Sequence, residues 1–388
     1  MRAVVTVLAL WCAGLGAAAQ FGKMSFAFDL FSARYPDHGP VGIGLLVSVV
    51  GIVGLVFGTT AGLLVARIGP RRAIVAALAL GAVMSAVQIL PLPYAALFLT
   101  RGIEGFSHLA IVVVGPTMIA GLAPPRHQGL AMTLWSSFFG VTYALLAVVA
   151  PALLSGGDTG PLFGLHALWM AGFALVLRGL LPADPAAVRH PMTGLVGQHM
   201  AIYASPRIAA PATGFVCYTA LYVAVLTLLP PLMPPDMQAG VAAGMPLLSI
   251  AVSMTLGVWM LGRITAVQLV QAGFAVGALA ALALWIGWGQ GAVMLAASLT
   301  LAAAMGIVQG ASFAAIPQLN DSDLDRARAS GAVAQLGNLG TTTGTPLLAA
   351  LIVMAGPGGL AGFALLLCLS GIAVHSWQAR RRLAVLPR

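Results

Sequence analysis

The sequence predicts an all-α membrane protein with twelve transmembrane helices in two parallel-repeat six-helix bundles. Three observations predict it. Hydrophobic residues make up 60% of the 388 residues and charged residues 7%, whereas a soluble domain carries about 25% charged residues. Apolar stretches of about 20 residues, the length that crosses a bilayer as a helix, follow one another along the whole chain. Arginine and lysine fall almost entirely in alternate loops.

The stretches lie at roughly 3–32, 41–66, 72–91, 94–121, 129–153, 162–181, 209–231, 239–261, 265–287, 291–316, 330–355 and 358–378. The breaks between them are short and rich in Gly, Pro and charge, as in Arg67-Ile68-Gly69-Pro70-Arg71-Arg72 and Gly356-Pro357-Gly358-Gly359. The first stretch imitates a secretory signal, with Met1-Arg2, an apolar run to Gly16 and then Ala17-Ala18-Ala19-Gln20. The apolar run continues to about Phe31, so a first membrane helix is expected in place of a cleaved signal.

Basic residues set the orientation. The amino terminus and every second loop together hold 15 arginines, and the opposite side holds only Arg34. Lys23 and Arg101 fall inside spans. This places both termini in the cytoplasm and supports an even number of spans. It also accounts for the net charge of +9, which in a soluble protein would suggest nucleic acid; no nucleic-acid partner is expected. Cys12, Cys217 and Cys368 have neither metal-ligand nor redox spacing and read as small core residues. No metal or cofactor is expected.

The longest polar break, 182–208, divides the chain into an amino-terminal bundle, 1–181, and a carboxyl-terminal bundle, 209–388. The halves share spaced signals. Pro116 and Pro317 are 201 apart, Arg126 and Arg328 are 202 apart, and Gly102-Ile103 and Gly306-Ile307 are 204 apart. Near-constant spacing is what a parallel duplication leaves.

After the second stretch comes Gly62-Leu63-Leu64-Val65-Ala66-Arg67-Ile68-Gly69-Pro70-Arg71-Arg72. This resembles the signature of the major facilitator superfamily, G-x-L-a-D-r-x-G-r-r, in the family's location between spans two and three. The resemblance covers the whole chain and implies an alternating-access transporter. In it Gly62, Arg67, Gly69, Arg71 and Arg72 help control the switch between inward- and outward-open states. The usual acid of the signature is Ala66 here, so a latch built on that acid is absent or replaced. The corresponding region of the second half, Gly257 to Arg263, is degenerate. Arg101-Gly102-Ile103-Glu104-Gly105 resembles the R-x-x-x-G pattern of the fourth helix, and the run to Pro116 and Pro124-Pro125-Arg126 is similar to bacterial carriers of the cyanate permease type.

Lys23 and Glu104 are the only lysine and the only glutamate. Arg101, Glu104 and His108 are spaced i, i+3, i+7 and share a helix face. At 1.5 Å per residue Lys23 lies about 13 Å from the outer surface, Arg101 about 10 Å, Glu104 about 15 Å and His108 about 21 Å. The resemblance implies that helices one and four both line a central cavity. An ionisable group in hydrocarbon is costly and marks a partner or a solute path. Two readings stay open. Arg101 and Glu104 can neutralise each other and staple helix four to helix one. Alternatively, Lys23 and Arg101 form an anion site, while Glu104 or His108 exchanges the coupling proton. Asp29 lies nearer the surface and reads as interfacial.

In the second half, Tyr218 and Tyr222 form an i, i+4 pair, Gln309 lies in the tenth span, and Gln335, Asn338 and Thr342 follow one face of the eleventh. Interhelical hydrogen bonding explains all of them. Tyr218, Tyr222 and Gln309 are the candidates for solute contact, because the resemblance puts helices seven and ten at the cavity. Trp135, Trp285, Trp288 and Trp377 read as interfacial anchors. An enzyme is not expected, since the seven histidines are scattered and only His108 and His166 fall well inside spans. The expected function is secondary transport of a small anionic solute with protons across a bacterial inner membrane, by a monomer. Efflux of an amphipathic compound and a non-transporting assembly factor on the same fold are the alternatives.

Overall fold

In lipid no water pairs with an exposed peptide group, so an apolar stretch satisfies its own N–H and C=O groups by coiling. A computed structural model of the protein describes residues 2–61, 65, 68–124, 131, 134–184 and 195–384, and those residues are helical with short connections and no strand. Ten helices among them are long and apolar enough to cross a membrane. Two of the twelve expected spans are not separate in that count. Phe138–Leu154 is 17 residues long. Asp323–Ala384 runs as one helical stretch of 62 residues, kinked where Gly356 takes φ 56°, ψ −138° just before Pro357; a left-handed φ there suits glycine alone.

The chain forms two compact units, residues 1–193 and 194–388. In the first, α1 (Arg2–Phe26) is followed by the short α2 (Phe28–Arg34). The next crossing is broken into α3 (Gly39–Ser48), a 3-10 turn at Val49–Gly51 and α4 (Ile52–Phe57). Then come α5 (Pro70–Val87), α6 (Tyr94–Leu122), α7 (Phe138–Leu154) and α8 (Gly160–Leu180). Helix α1 packs on α6, α7 and α8, and α5 packs on α6 and α8. The run Ala13 to Ala18 of α1 is fully or nearly buried, and its small side chains let three helices approach one axis.

Trp135 corrects an expectation. It is 4% exposed and fills a slot between Gly14 and Gly115, where any Cβ would strike its ring. The slot exists because two glycines on other helices leave room for an indole. Trp285 and Trp377 are 54% exposed.

The second unit contains α9 (Leu195–Ala204), α10 (Ala209–Leu228), α11 (Gln238–Val252), a π turn at Ser253–Gly257, α12 (Val258–Leu261), α13 (Ala266–Ile286), α14 (Gly291–Leu319) and α15 (Asp323–Ala384). Helix α10 is buried almost throughout and lies along α15. Gly340 and Gly344 set that contact, since a Cβ on Gly340 would stand 2.6 Å from the Val216 carbonyl and one on Gly344 would meet the Ala220 carbonyl.

Candidate functional site

Four helices of the first unit bring polar groups to one buried point. On α1, Gly16, Gln20 and Lys23 share a face by helical spacing, as do Gly81, Ser85 and Gln88 at the end of α5. Helix α6 brings Arg101 and Glu104, and α8 brings His166. The two glycines make the approach possible: a Cβ on Gly16 would lie 2.5 Å from Met170 Sδ, and one on Gly81 would lie 2.7 Å from Ser107 Oγ. Lys23, Ser85, Arg101 and Glu104 are 0% exposed, and Gln88, His108 and His166 are buried.

Lys23 Nζ donates to Glu104 Oε1 at 2.7 Å, Ser85 Oγ at 2.6 Å and Gln88 Oε1 at 2.8 Å. It also stands 4.8 Å over the Phe163 ring. Glu104 Oε2 accepts from Arg101 Nη1, and from Gln88 Nε2 at 3.1 Å. Arg101 Nε and Nη2 donate to the carbonyls of Leu46 and Val47 at 3.0 and 3.1 Å. Those carbonyls precede the 3-10 turn at Val49–Gly51, where the change of helical register leaves acceptors for a side chain. Gly105 lets α6 rest on that turn, since a Cβ there would lie 2.5 Å from the Val50 carbonyl.

The charge balance follows. An Arg and a Lys meet one carboxylate, and no aspartate forms a salt bridge with either cation among the described residues. One positive charge is in excess when all three are ionised.

His166 Nε2 stands 2.9 Å from the Gly16 carbonyl. A carbonyl only accepts, so Nε2 carries a hydrogen. His166 Nδ1 lies 2.6 Å from Ser85 Oγ and 3.5 Å from Lys23 Nζ. His108 is not bonded into this cluster; its Nδ1 meets the Ala17 carbonyl at 3.1 Å, and its ring sits edge-on to Phe21.

In the second unit, Tyr218 and Tyr222 are buried and their rings stack at 5.2 Å. Gln309 is partly buried on α14. Gln335 accepts from the Tyr203 hydroxyl at 2.7 Å, and burial pushes that phenol up to about 12. Asn338 donates to the Ala334 carbonyl. Among the described residues, no three His, Cys, Asp or Glu side chains group to hold a metal ion.

Of the signature loop, Gly62 and Arg67 lie outside the described residues. Gly69 has φ 95° and precedes α5. The Asp184 carboxylate accepts from the backbone N–H of Arg71 at 2.7 Å and of Arg72 at 3.0 Å. Its side chain is 3% exposed and stands 3.9 Å from Arg72 Nε. A Cβ on Gly69 would overlap it. An acid thus caps α5 although the signature's own acid is Ala66.

Sequence reasoning passed over Ser85, Gln88 and Asp184, and it noted His166 only as a histidine inside a span. The first two carried a usable signal, because Gly81, Ser85 and Gln88 repeat the spacing of Gly16, Gln20 and Lys23. Asp184 carried none, because its partner is 113 positions away.

Residues 6–345 match the family model described as Major Facilitator Superfamily. Over 196 residues, 48% of this chain, the sequence is 28% identical to the Inner membrane transport protein YajR of Escherichia coli (strain K12); the chain spans 41% of the length of that curated relative. The fold is similar to that of the human organic anion transporter MFSD10 (TETRAN), with a TM-score of 0.70 and 17% identity over 96% of this chain and 99% of that one. The family comprises membrane transport proteins, not enzymes. The chain belongs to the Major Facilitator Superfamily.

Proposed function

We propose that the protein is a secondary active transporter that moves a small anionic solute together with protons by alternating access. The excess positive charge of the buried cluster carries this reading. A lone charge in hydrocarbon costs several kcal/mol, and an anionic group is the simplest species that cancels it. Lys23 offers a compact point charge and Arg101 a planar fork, with Glu104 holding the two cations together. Tyr218, Tyr222 and Gln309 are the candidates for contact with an uncharged remainder of the solute. A fold shared with a protein described as an organic anion transporter supports the same solute class.

In this reading the chain makes twelve crossings. Asp323–Ala384 counts as two, divided at Gly356, and Phe138–Leu154 as one. Bundles 1–181 and 209–388 are joined by the linker 182–208, both termini are cytoplasmic, and the protein works as a monomer in a bacterial inner membrane. Gly62, Arg67, Gly69, Arg71 and Arg72 serve the conformational gate.

The test is uptake into proteoliposomes of a panel of radiolabelled monocarboxylates, dicarboxylates and inorganic anions, with and without an inward proton gradient. At least one anion should accumulate with the gradient, and Lys23→Gln, shown to be folded and inserted, should lose that accumulation. Accumulation of neutral or cationic compounds alone, or full anion uptake by Lys23→Gln, would overturn the reading.

A further inference from the structure

We propose that Lys23, Ser85 and His166 form a proton relay, in which one proton is shared between the two nitrogen bases through the Ser85 hydroxyl while Glu104 stays a carboxylate throughout. This deepens the reading of proton-coupled transport and rests on it for its role, though not for its chemistry.

The hydrogen count leads to it. Five short contacts in the cluster each need one hydrogen: Lys23 to Glu104, to Gln88 and to Ser85, Ser85 to His166, and His166 to the Gly16 carbonyl. An ammonium brings three hydrogens, the serine one and a neutral imidazole one. The supply matches the need only when the pair holds its extra proton. Removing that proton leaves one contact of 2.6 to 2.9 Å with lone pair against lone pair.

The same count allows two arrangements. In one, Lys23 is the ammonium and donates to Ser85, and Ser85 donates to His166 Nδ1. In the other, the Lys23 Nζ–H bond breaks as the Ser85 O–H bond forms, and the former Ser85 proton bonds to His166 Nδ1. Lys23 is then an amine accepting from Ser85, and His166 is an imidazolium donating from both nitrogens. No contact is lost and no atom leaves, so a proton crosses from α1 to α8 by reversing two hydrogen bonds.

Glu104 is unsuited to this role. Lys23, Arg101 and Gln88 present hydrogens to its two oxygens, and Ser85 Oγ stands 3.5 Å away with its one hydrogen committed to the relay. A protonated Glu104 would find no acceptor and would leave two buried cations without an anion. The other titratable or charged groups around the relay are Arg101 and His108 on α6 and Tyr143 on α7, whose hydroxyl bonds to Ser25 at 2.9 Å. Helix α5 faces it with Ser85 and Gln88, which do not titrate. With the proton on board the cluster carries one excess positive charge. Without it the Arg101–Glu104 pair is balanced. A monoanion and a proton therefore neutralise each other in the site, and one cannot leave without disfavouring the other.

The test is nitrogen NMR of the full-length protein in lipid nanodiscs, labelled at lysine and histidine, titrated with pH in the absence of any solute. Lys23 is the only lysine, and His166→Gln assigns the His166 signals. Lys23 Nζ and His166 Nδ1 should change together with one midpoint. Ser85→Ala should split this into two midpoints, and Ser85→Thr, which keeps the hydroxyl, should restore one. Independent titration of the two nitrogens in the wild type would overturn the relay, as would a shared midpoint that survives Ser85→Ala. Because no solute is present, a relay that titrates in a protein that moves no anion would count against the transport reading alone. Proton-driven anion uptake with independent titrations would count against the relay alone.

Discussion

Removing the anion of the cluster and removing its excess cation should have unequal consequences. Glu104 accepts from three donors, Lys23, Arg101 and Gln88. Glu104→Gln keeps the shape but sets an amide N–H against at least one of those donors, and it leaves Lys23 and Arg101 buried without a negative partner. Breaking a buried pair this way costs about 3–5 kcal/mol. Lys23→Met removes one of the two cations that share the Glu104 carboxylate, and with it the excess charge. Glu104 Oε2 keeps Arg101 and Gln88, Ser85 keeps His166, and the losses are the donors to Glu104 Oε1, worth about 1.5–3 kcal/mol, and to Gln88 Oε1, worth about 1 kcal/mol. Removing the desolvation cost of a buried surplus charge offsets part of those losses, so the variant should lose less than Glu104→Gln. Reversible unfolding of the purified protein in mixed micelles, followed by far-UV circular dichroism, compares the two. A loss in Lys23→Met equal to or larger than that in Glu104→Gln would refute the charge accounting.

Other substitutions test the supporting geometry in the same assay. Gly105→Ala sets a Cβ 2.5 Å from the Val50 carbonyl, which is backbone and cannot swing aside, and should cost about 1–3 kcal/mol; Gly102→Ala meets nothing within 4 Å and should leave the midpoint unchanged. Trp135→Ala empties the slot between Gly14 and Gly115 and should cost about 3–5 kcal/mol, whereas Trp285→Ala, at an exposed position, should stay within about 0.5 kcal/mol. Asp184→Ala uncaps α5 and should cost about 1 kcal/mol, with faster amide hydrogen exchange at Arg71 and Arg72; unchanged exchange there would dismiss the cap.

Charge scarcity, helical spacing and counted depth were enough to group Lys23, Arg101 and Glu104 from sequence alone. Those signals work because hydrocarbon leaves so few places for a charge. The backbone partners of Arg101 were not legible, because the turn at Val49–Gly51 has no proline and arises where α6 presses on the helix through Gly105. Ser85 and Gln88 look like ordinary polar residues of a span until Lys23 is seen to need three acceptors. Trp135 sits near a proposed span end and reads as an anchor, but its slot is made by glycines on two other helices. Asp184 caps a helix end through a tertiary contact, which no local cap rule detects.

Arg101 and Lys23 are both buried cations, yet they differ in what release would cost. Arg101 spends Nε and Nη2 on the Leu46 and Val47 carbonyls and Nη1 on Glu104. Turning it toward a solute would strand two buried carbonyls at about 1–3 kcal/mol each. Lys23 has partners that can re-pair without it. Ser85 already lies within bonding distance of His166, and Glu104 Oε2 keeps Arg101 and Gln88 Nε2, so the acceptors left open are Glu104 Oε1 and Gln88 Oε1, side-chain oxygens that can turn toward a new donor. An arriving anion therefore draws Lys23 away far more cheaply than Arg101. The R-x-x-x-G pattern of α6 then has a mechanical meaning. Gly105 brings two backbones together, and Arg101, one turn earlier, ties the broken helix to the carboxylate, so that the lysine is the cation left to move.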